Sequence, residues 1–335
     1  MEQFPLVSII ITSYNRSSML PKAIESALAQ DYPNLEIVVS DNCSTDGSDD
    51  IIKKYTNDPR LVYNRNEQNI GMLPNFRRAT YDVAKGEFIT YVNCDDYLID
   101  NSFVTDGIKL VNKYESVFLV HGRMNFYSQG NEVLWEMPEN PYFTQEIWDG
   151  KDVFFKSMTT GLLSWGACLM KRSEMRRLGS LMSDYHNGDL DSNYRIMLTG
   201  KVAFVNRACY MQIGHTDNAG FPVHSGKLIK SLGCYENVAE YAKSILPDKV
   251  EEVNKWRDHF VTYTINLSFH NLYAKNRDEY KKFKIEVNRL YPDIYSNYTS
   301  SWVYKKMVLL HPIKKILPKR FVRYLSLFIK KLKAS

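Results

Sequence analysis

The chain has little cysteine and pairs none of it. Its five cysteines (Cys43, Cys94, Cys168, Cys209, Cys234) are scattered, with no Cys-x-x-Cys spacing. That excludes a disulfide framework and a structural zinc site. No stretch approaches the roughly 20 consecutive apolar residues that a bilayer span requires. Met1 to Pro5 holds no Lys or Arg, and the apolar run behind it, Leu6 to Ile11, is too short for a signal peptide. There is no internal repeat and no Gly/Ser linker. Neither G-x-x-x-x-G-K-[ST] nor a G-x-G-x-x-G behind a strand occurs, so two common nucleotide loops are absent. The expectation from these absences is a cytoplasmic protein with reduced thiols.

What is present is ordinary for a folded chain: 335 residues, 44% hydrophobic, 24% charged and 13% aromatic. Collagen-like, low-complexity and mostly disordered classes are excluded. The length suits one large domain with an appendage, or two. The formal net charge of +5 is unevenly spread. Residues 301–335 carry ten Lys/Arg and no Asp or Glu, which leaves the first 300 residues with 33 bases against 38 acids. Between the basic residues of the tail stand Met307 to Leu310, Ile316-Leu317, Phe321-Val322, Tyr324-Leu325 and Leu327 to Ile329, with Pro312 and Pro318 dividing the stretch. Apolar residues interleaved with cations fit amphipathic helices on an anionic membrane surface. A solvated helix packed on the body is the plainer alternative. Neither half of the charge distribution supports nucleic acid as a partner.

The first hundred residues alternate strand and helix signals, the pattern of a parallel sheet with crossover helices. Leu6 to Ile11, Leu35 to Val39, Leu61 to Tyr63 and Phe88 to Val92 read as strands. Leu20, Ile24 and Leu28 recur at helical spacing behind Pro21, and further helices are expected through Ile51, Ile52 and Tyr55 and from Pro74 to Ala84. From about Val117 to Phe221 the pattern is mixed; beyond Gly226 it is helical, over Glu236 to Leu246, Val250 to Tyr273 and Asp278 to Leu290. Three strands run into polar clusters: Thr12-Ser13-Tyr14-Asn15, Asp41-Asn42 and Asn93-Cys94-Asp95-Asp96. Ligands of open α/β sheets bind outside the carboxyl ends of the strands, so these clusters should converge on one site. Carboxylates at a strand end suit Mg2+ or Mn2+ shared with a diphosphate, although a loop or helix-capping pair reads the same way.

Val7 to Arg16 resembles the opening strand and nucleotide loop of the family 2 glycosyltransferases. Val39 to Ser48 is similar to that family's VDNxSTDGS signature, and Lys85 to Asp96 to its KGEYIxxLDxDD segment. Gly188-Asp189-Leu190-Asp191, with Arg195 and Leu198 to Lys201 behind, resembles its EDxDLxxR…GxK motif. The four motifs occur in order across roughly residues 5–205.

The helical pattern beyond Gly226 reads as a C-terminal helical extension. The resemblance, which says little about the last 110 residues, implies an α/β GT-A fold, a mostly parallel sheet flanked by helices. It implies inverting transfer of a sugar from a nucleotide-diphosphate donor, most naturally a UDP-sugar, to a glycan or lipid-linked acceptor in bacterial surface-polysaccharide synthesis. The expected organisation is a catalytic domain over 1–225, a helical region over 226–300 and the basic tail over 301–335, the tail being what would make the protein peripheral at the inner membrane face. Thr12, Ser13, Tyr14, Asn15, Asp41 and Asn42 would meet the nucleotide, with Asn69 and Asn75 above the donor sugar and Asn93 and Cys94 beside it. Asp95 would hold the divalent metal, joined by Asp96 and His215, and Asp189 would be the catalytic base. Asp191 is a second candidate on the acceptor side, or else the helix partner of Arg195. Two positions depart from the pattern: Asn93 replaces the first Asp of D-x-D, and Gly188 replaces the Glu before Asp189. Rival readings are a sugar-phosphate nucleotidyltransferase, which lacks its Gly-rich Lys-containing loop here, and a catalytically idle scaffold, which Asn93 alone supports.

Overall fold

The computed structural model describes residues 4–128, 133–136, 145–161, 165–183, 185, 187–215, 224–301 and 304. The basic tail expected over 301–335 therefore falls almost wholly outside the described residues. In chain order the elements are β1 (Val7–Ser13), α1 (Leu20–Leu28), β2 (Leu35–Asp41), α2 (Ser48–Lys53), β3 (Leu61–Arg65) and α3 (Met72–Arg78). A π-helical turn (Ala79–Val83) leads to β4 (Phe88–Asn93), β5 (Tyr97–Leu98), α4 (Phe103–Lys113), β6 (Val117–Ser128), β7 (Val133–Glu136) and β8 (Ile147–Asp149). Then come α5 (Gly150–Thr160), β9 (Cys168–Lys171), α6 (Arg172–Arg177), α7 (Gly188–Thr199) and β10 (Lys201–Gly214). Helices α8 (Ser225–Ile245), α9 (Val250–Lys275), α10 (Arg277–Leu290) and α11 (Pro292–Ser300) complete the described chain.

Ten strands among the described residues join one sheet, whose main path runs β3-β2-β1-β4-β9-β6-β10-β5. The half built by β3, β2, β1 and β4 is parallel throughout. Strands β1, β2 and β4 are buried on both faces over most of their length, all seven residues of β2 among them, while the edge strand β3 is mostly half-exposed. Helix α1 turns Leu20, Ala23, Ile24 and Ala27 onto this sheet, with proline in its first turn where no backbone donor is lost. At β9 the direction reverses, for β9 pairs antiparallel with both β4 and β6. Strand β10 then runs parallel to β6, with register shifts between Val205 and Tyr210. The sheet is thus mixed, and its second half brings in β10, which starts more than 100 residues after β4 ends.

The chain divides into two compact units. One comprises Met1–Gly220 with Gly233–Arg257, the other Phe221–Leu232 with Asp258–Ser335. In the described part of the second unit, Phe269 stacks on Tyr298 at 4.7 Å and meets Phe283 edge-on at 5.1 Å. There Glu279 accepts hydrogen bonds from the backbone N–H and hydroxyl of Ser225. Among the described residues no helix is long and apolar enough to cross a membrane.

Candidate functional site

The pairing register lines up the carboxyl ends of four parallel strands. Thr12 lies between Ser40 on one side and Asn93 on the other, Ser13 pairs with Asp41, and Asp41 pairs with Arg65. Thr12, Ser13, Asp41 and Asn93, predicted from separate motifs, therefore share one sheet edge. Cys94 is buried there; burial and then the charge of the neighbouring Asp95 push its thiol up to about 12. Cys94 is thus an inert packing group. Tyr14, 46% exposed, leaves its ring open at the rim.

The loops behind β1 and β2 hold each other. The Asn15 side chain accepts from Thr45 N at 2.9 Å, and Asn15 N donates to Ser44 Oγ at 2.9 Å. Asn15 and Cys43 have φ of +50° and +64°, and Gly47 of +87°. A left-handed cysteine is costly, and such strain gathers where a loop is shaped for a ligand. Asp41 is fully buried beneath this loop. Its carboxylate accepts from Ser44 N and Oγ and from Arg65 Nε at 3.2 Å. The pairing also raises the Arg65 guanidinium above its ordinary value.

A closed asparagine network holds the segment after β3. Asn66 Nδ2 donates to Asn42 Oδ1 at 3.0 Å and to Asn75 Oδ1 at 2.8 Å. Asn75 Oδ1 also accepts from Ser40 Oγ at 2.8 Å, and Asn75 Nδ2 donates to the Ser40 carbonyl at 3.0 Å. Asn42 in turn donates to Asn69 Oδ1 at 2.8 Å and accepts from Ile70 N at 3.0 Å. Asn42, Asn69 and Asn75 are thereby brought together, with Asn75 buried as the peg of the network.

At the end of β4 the two aspartates part company. The Asp95 carboxylate is 17% exposed, and its Oδ2 lies 3.0 Å from His215 Nε2, just past the end of β10. Asp96 turns inward, accepting from Tyr210 Oη at 2.8 Å, Ile213 N at 2.8 Å and Asn93 Nδ2 at 3.0 Å. Burial, and then the charge of Asp95, push the Asp96 carboxyl up to about 6. With its oxygens so engaged, Asp96 anchors β10 to β4 and so delivers His215 to Asp95. Among the described residues no three His, Cys, Asp or Glu side chains converge as a metal site. The Asp95 carboxylate is nonetheless a hard oxygen ligand of the kind Mn2+ and Mg2+ take, and the His215 imidazole one that Mn2+ accepts.

The acceptor-side motif forms the start of α7. Gly188 sits where an added Cβ would come within 3.3 Å of both Leu73 of α3 and Ser183. The position that resembles a family glutamate is therefore packed closely by its neighbours. Asp189 follows in the first turn, close enough to Cys168 of β9 that its charge helps burial to raise that thiol. Asp191 is 2% exposed and is held by Arg195 Nε at 3.0 Å and Asn237 Nδ2 at 3.0 Å. Its oxygens brace α7 from within, with Arg195 as the helix partner that the sequence offered beside an acceptor role.

Arg65, Asn66 and Tyr210 were missed in the sequence. Arg65 and Asn66 stand at a strand end, as the three recognised clusters do, and could have been marked on that ground. Tyr210 carries no such signal, being one aromatic residue within a long buried strand.

The model of the glycosyl transferase family 2 family matches residues 8–176. A UDP-Glc:alpha-D-GlcNAc-diphosphoundecaprenol beta-1,3-glucosyltransferase, WfaP of Escherichia coli, is 33% identical over 136 residues, 41% of this chain; the match spans 52% of that relative's own length. Of solved structures, Staphylococcus aureus TarS residues 1–349 with UDP-GlcNAc aligns at TM-score 0.61 and 15% identity over 90% of this chain and 91% of that one. A Pyrobaculum calidifontis mannosyltransferase, PcManGT, in complex with GDP-Man and Mn2+ aligns at TM-score 0.53 and 15% identity over 92% and 88%. These two likenesses establish the fold.

Proposed function

The chain belongs to glycosyl transferase family 2, and from that premise we propose that it moves a sugar, with inversion, from a nucleotide-diphosphate donor to a hydroxyl of a glycan or lipid-linked acceptor. The observation that carries the reading is the meeting of Asp95 and His215 at the sheet edge that also holds Thr12, Ser13, Asp41 and Asn93. The names of the similar proteins support the substrate classes: one uses UDP-Glc and a diphosphoundecaprenol-linked acceptor, and another was solved with UDP-GlcNAc. The setting we propose is bacterial surface-polysaccharide synthesis, with the protein peripheral at the inner membrane face; the lipid-linked acceptor in one relative's name supports it.

In this reading the loop after β1, with exposed Tyr14, and the loop after β2 cradle the nucleoside. Arg65 and Ser44 fix Asp41 beneath it, and Asn93 offers its side chain to a ribose hydroxyl. Asp189 takes the proton of the acceptor hydroxyl as that oxygen attacks the anomeric carbon and the bond to the diphosphate oxygen breaks. It stands in the first turn of α7. Asp95 and His215 are the residues that would hold Mn2+ or Mg2+, and such an ion would stabilise the charge on the departing diphosphate. Asp191 serves by orienting α7.

Two measurements test this. A hydrolysis screen across UDP-, GDP- and dTDP-sugars should single out one nucleotide, UDP by this reading, and no turnover or binding of any of them would sink it. Asp189→Asn should lower transfer about a thousandfold, within the usual range for a general base, while donor affinity holds. Full activity in that variant would remove Asp189 from the role.

A further inference from the structure

One face of the first unit gathers arginines that have no carboxylate partner among the described residues. Arg77 of α3 donates from Nε to the Leu181 carbonyl at 2.9 Å. Arg176 of α6 donates to the Tyr81 carbonyl at 3.1 Å, with its guanidinium 4.8 Å from that ring's centre. Arg172 spans the carbonyls of Ala84, Lys85 and Gly86 at 2.7 to 3.2 Å. Tyr81 Oη donates to the Ser180 carbonyl at 2.9 Å, next to the Leu181 carbonyl that Arg77 holds, and Arg172 stands one turn before Arg176 on α6, so the three arginines share one region. None of the three has an Asp or Glu partner among the described residues. Exposed Arg78 and Lys85 extend the cluster. The three arginines bond to backbone carbonyls, while Lys171 and Arg177 of the same region pair with Glu87 at 3.7 Å and Glu174 at 2.6 Å.

The contrast with the rest of the unit is large. Residues 72–87 and 171–182 hold seven Lys/Arg against three acids, while the first 300 residues as a whole hold 33 against 38. Beside the arginines stands Met182, 53% exposed, next to the Leu181 that Arg77 holds. Cations around an exposed flexible apolar side chain match a surface of anionic headgroups over acyl chains. The face also lies on the acceptor side of the site. Arg77 is one helical turn along α3 from Leu73, and Leu73 packs at Gly188, the residue before Asp189.

We propose that this face, centred on Arg77, Arg172 and Arg176, docks the unit on an anionic lipid bilayer. It is a contact separate from the basic tail, and it presents the acceptor side of the site to the membrane. The proposal deepens the reading of a lipid-linked acceptor, but its test is made without donor or acceptor, so the two readings fail separately.

The test is co-sedimentation of the full chain with vesicles of phosphatidylcholine containing phosphatidylglycerol, against phosphatidylcholine alone. Reversing three cations of the face, R78E/K85E/R176E, should lower partitioning onto the anionic vesicles at least about tenfold, since each cation at such a surface contributes severalfold. Three exposed lysines elsewhere, K54E/K201E/K255E, change the net charge equally and should shift binding by less than about twofold, as interaction falls off within a Debye length. Should the first variant not fold, R78Q/K85Q replaces two exposed side chains with no partner among the described residues and should lose binding severalfold. Unchanged binding in the face variants would overturn the proposal, because the tail alone would then suffice. So would equal loss in the control, or retention of the wild-type chain by RNA in preference to anionic vesicles.

Discussion

Asn75 is a peg whose removal has a calculable cost. Its carboxamide makes three hydrogen bonds in a site where it is 2% exposed: from Ser40 Oγ, from Asn66 Nδ2 and to the Ser40 carbonyl. Asn75→Ala deletes all three, and water cannot readily replace them. Ser40 Oγ keeps Asn64 as a donor and Asn66 keeps Asn42 as an acceptor, so neither partner is stranded entirely. At about 0.5–1.5 kcal/mol for each bond, the change should destabilise the first unit by about 3 kcal/mol. Urea unfolding followed by tryptophan fluorescence measures this, with Trp165 of that unit 5.2 Å from Phe76, the neighbour of Asn75. Donor affinity should fall in parallel, because Asn66 and Asn42 together hold the 69–71 segment at the site. Asn75→Asp keeps an acceptor for Ser40 and Asn66 but sets a carboxylate oxygen against the Ser40 carbonyl, and should cost at least as much. A loss under about 1 kcal/mol for Asn75→Ala would refute the reasoning, since the network would then be open to water and each bond replaceable.

Two further outcomes follow from the same geometry. Tyr210→Phe removes a donor to the buried Asp96 and the acceptor of Asn93 N, and should cost about 2 kcal/mol in urea unfolding, within the range for bonds to charged groups. Wild-type stability in that variant would mean that Asp96 does not need the hydroxyl. In the second unit, Lys282 and then Ser225 hold the Glu279 carboxyl down to about 2 from an ordinary 4.5. As pH falls the unfolded chain binds this proton first, so the stabilisation is complete above about 4.5 and fades toward about 2. The melting temperatures of wild type and Glu279→Gln should therefore differ at neutral pH and converge over that window; a constant gap would argue against the assignment.

The predicted strands over residues 6–92 appear as β1 to β4 within a residue or two, because a strand buried on both faces writes an unbroken apolar run. The helix expected from Pro74 to Ala84 is split into α3 and a π-helical turn, where Thr80 bonds back to the Phe76 carbonyl. The mixed region after Val117 resisted reading for a different reason. Strands β6, β9 and β10 choose partners far away in the chain, and their direction is set by the sheet they join.

The same division runs through the site. Thr12, Ser13, Asp41 and Asn93 were legible because parallel strands of similar length end together, and polarity at the end of an apolar run marks the sheet edge. Which way each carboxylate faces was not. Asp95 and Asp96 are adjacent and chemically identical in the sequence; Tyr210 and Ile213 draw Asp96 inside, while His215 meets Asp95 nearer the surface. Asp191 could have faced an acceptor or Arg195, and Asn237 of α8 closes around it together with Arg195. The sequence alone determined the order of elements and the kinds of group at the sheet edge, since burial periodicity and local composition are properties of short segments. Only the tertiary structure decided which of those groups are free to act, because a buried polar atom answers to the nearest donor in space, however distant in the chain.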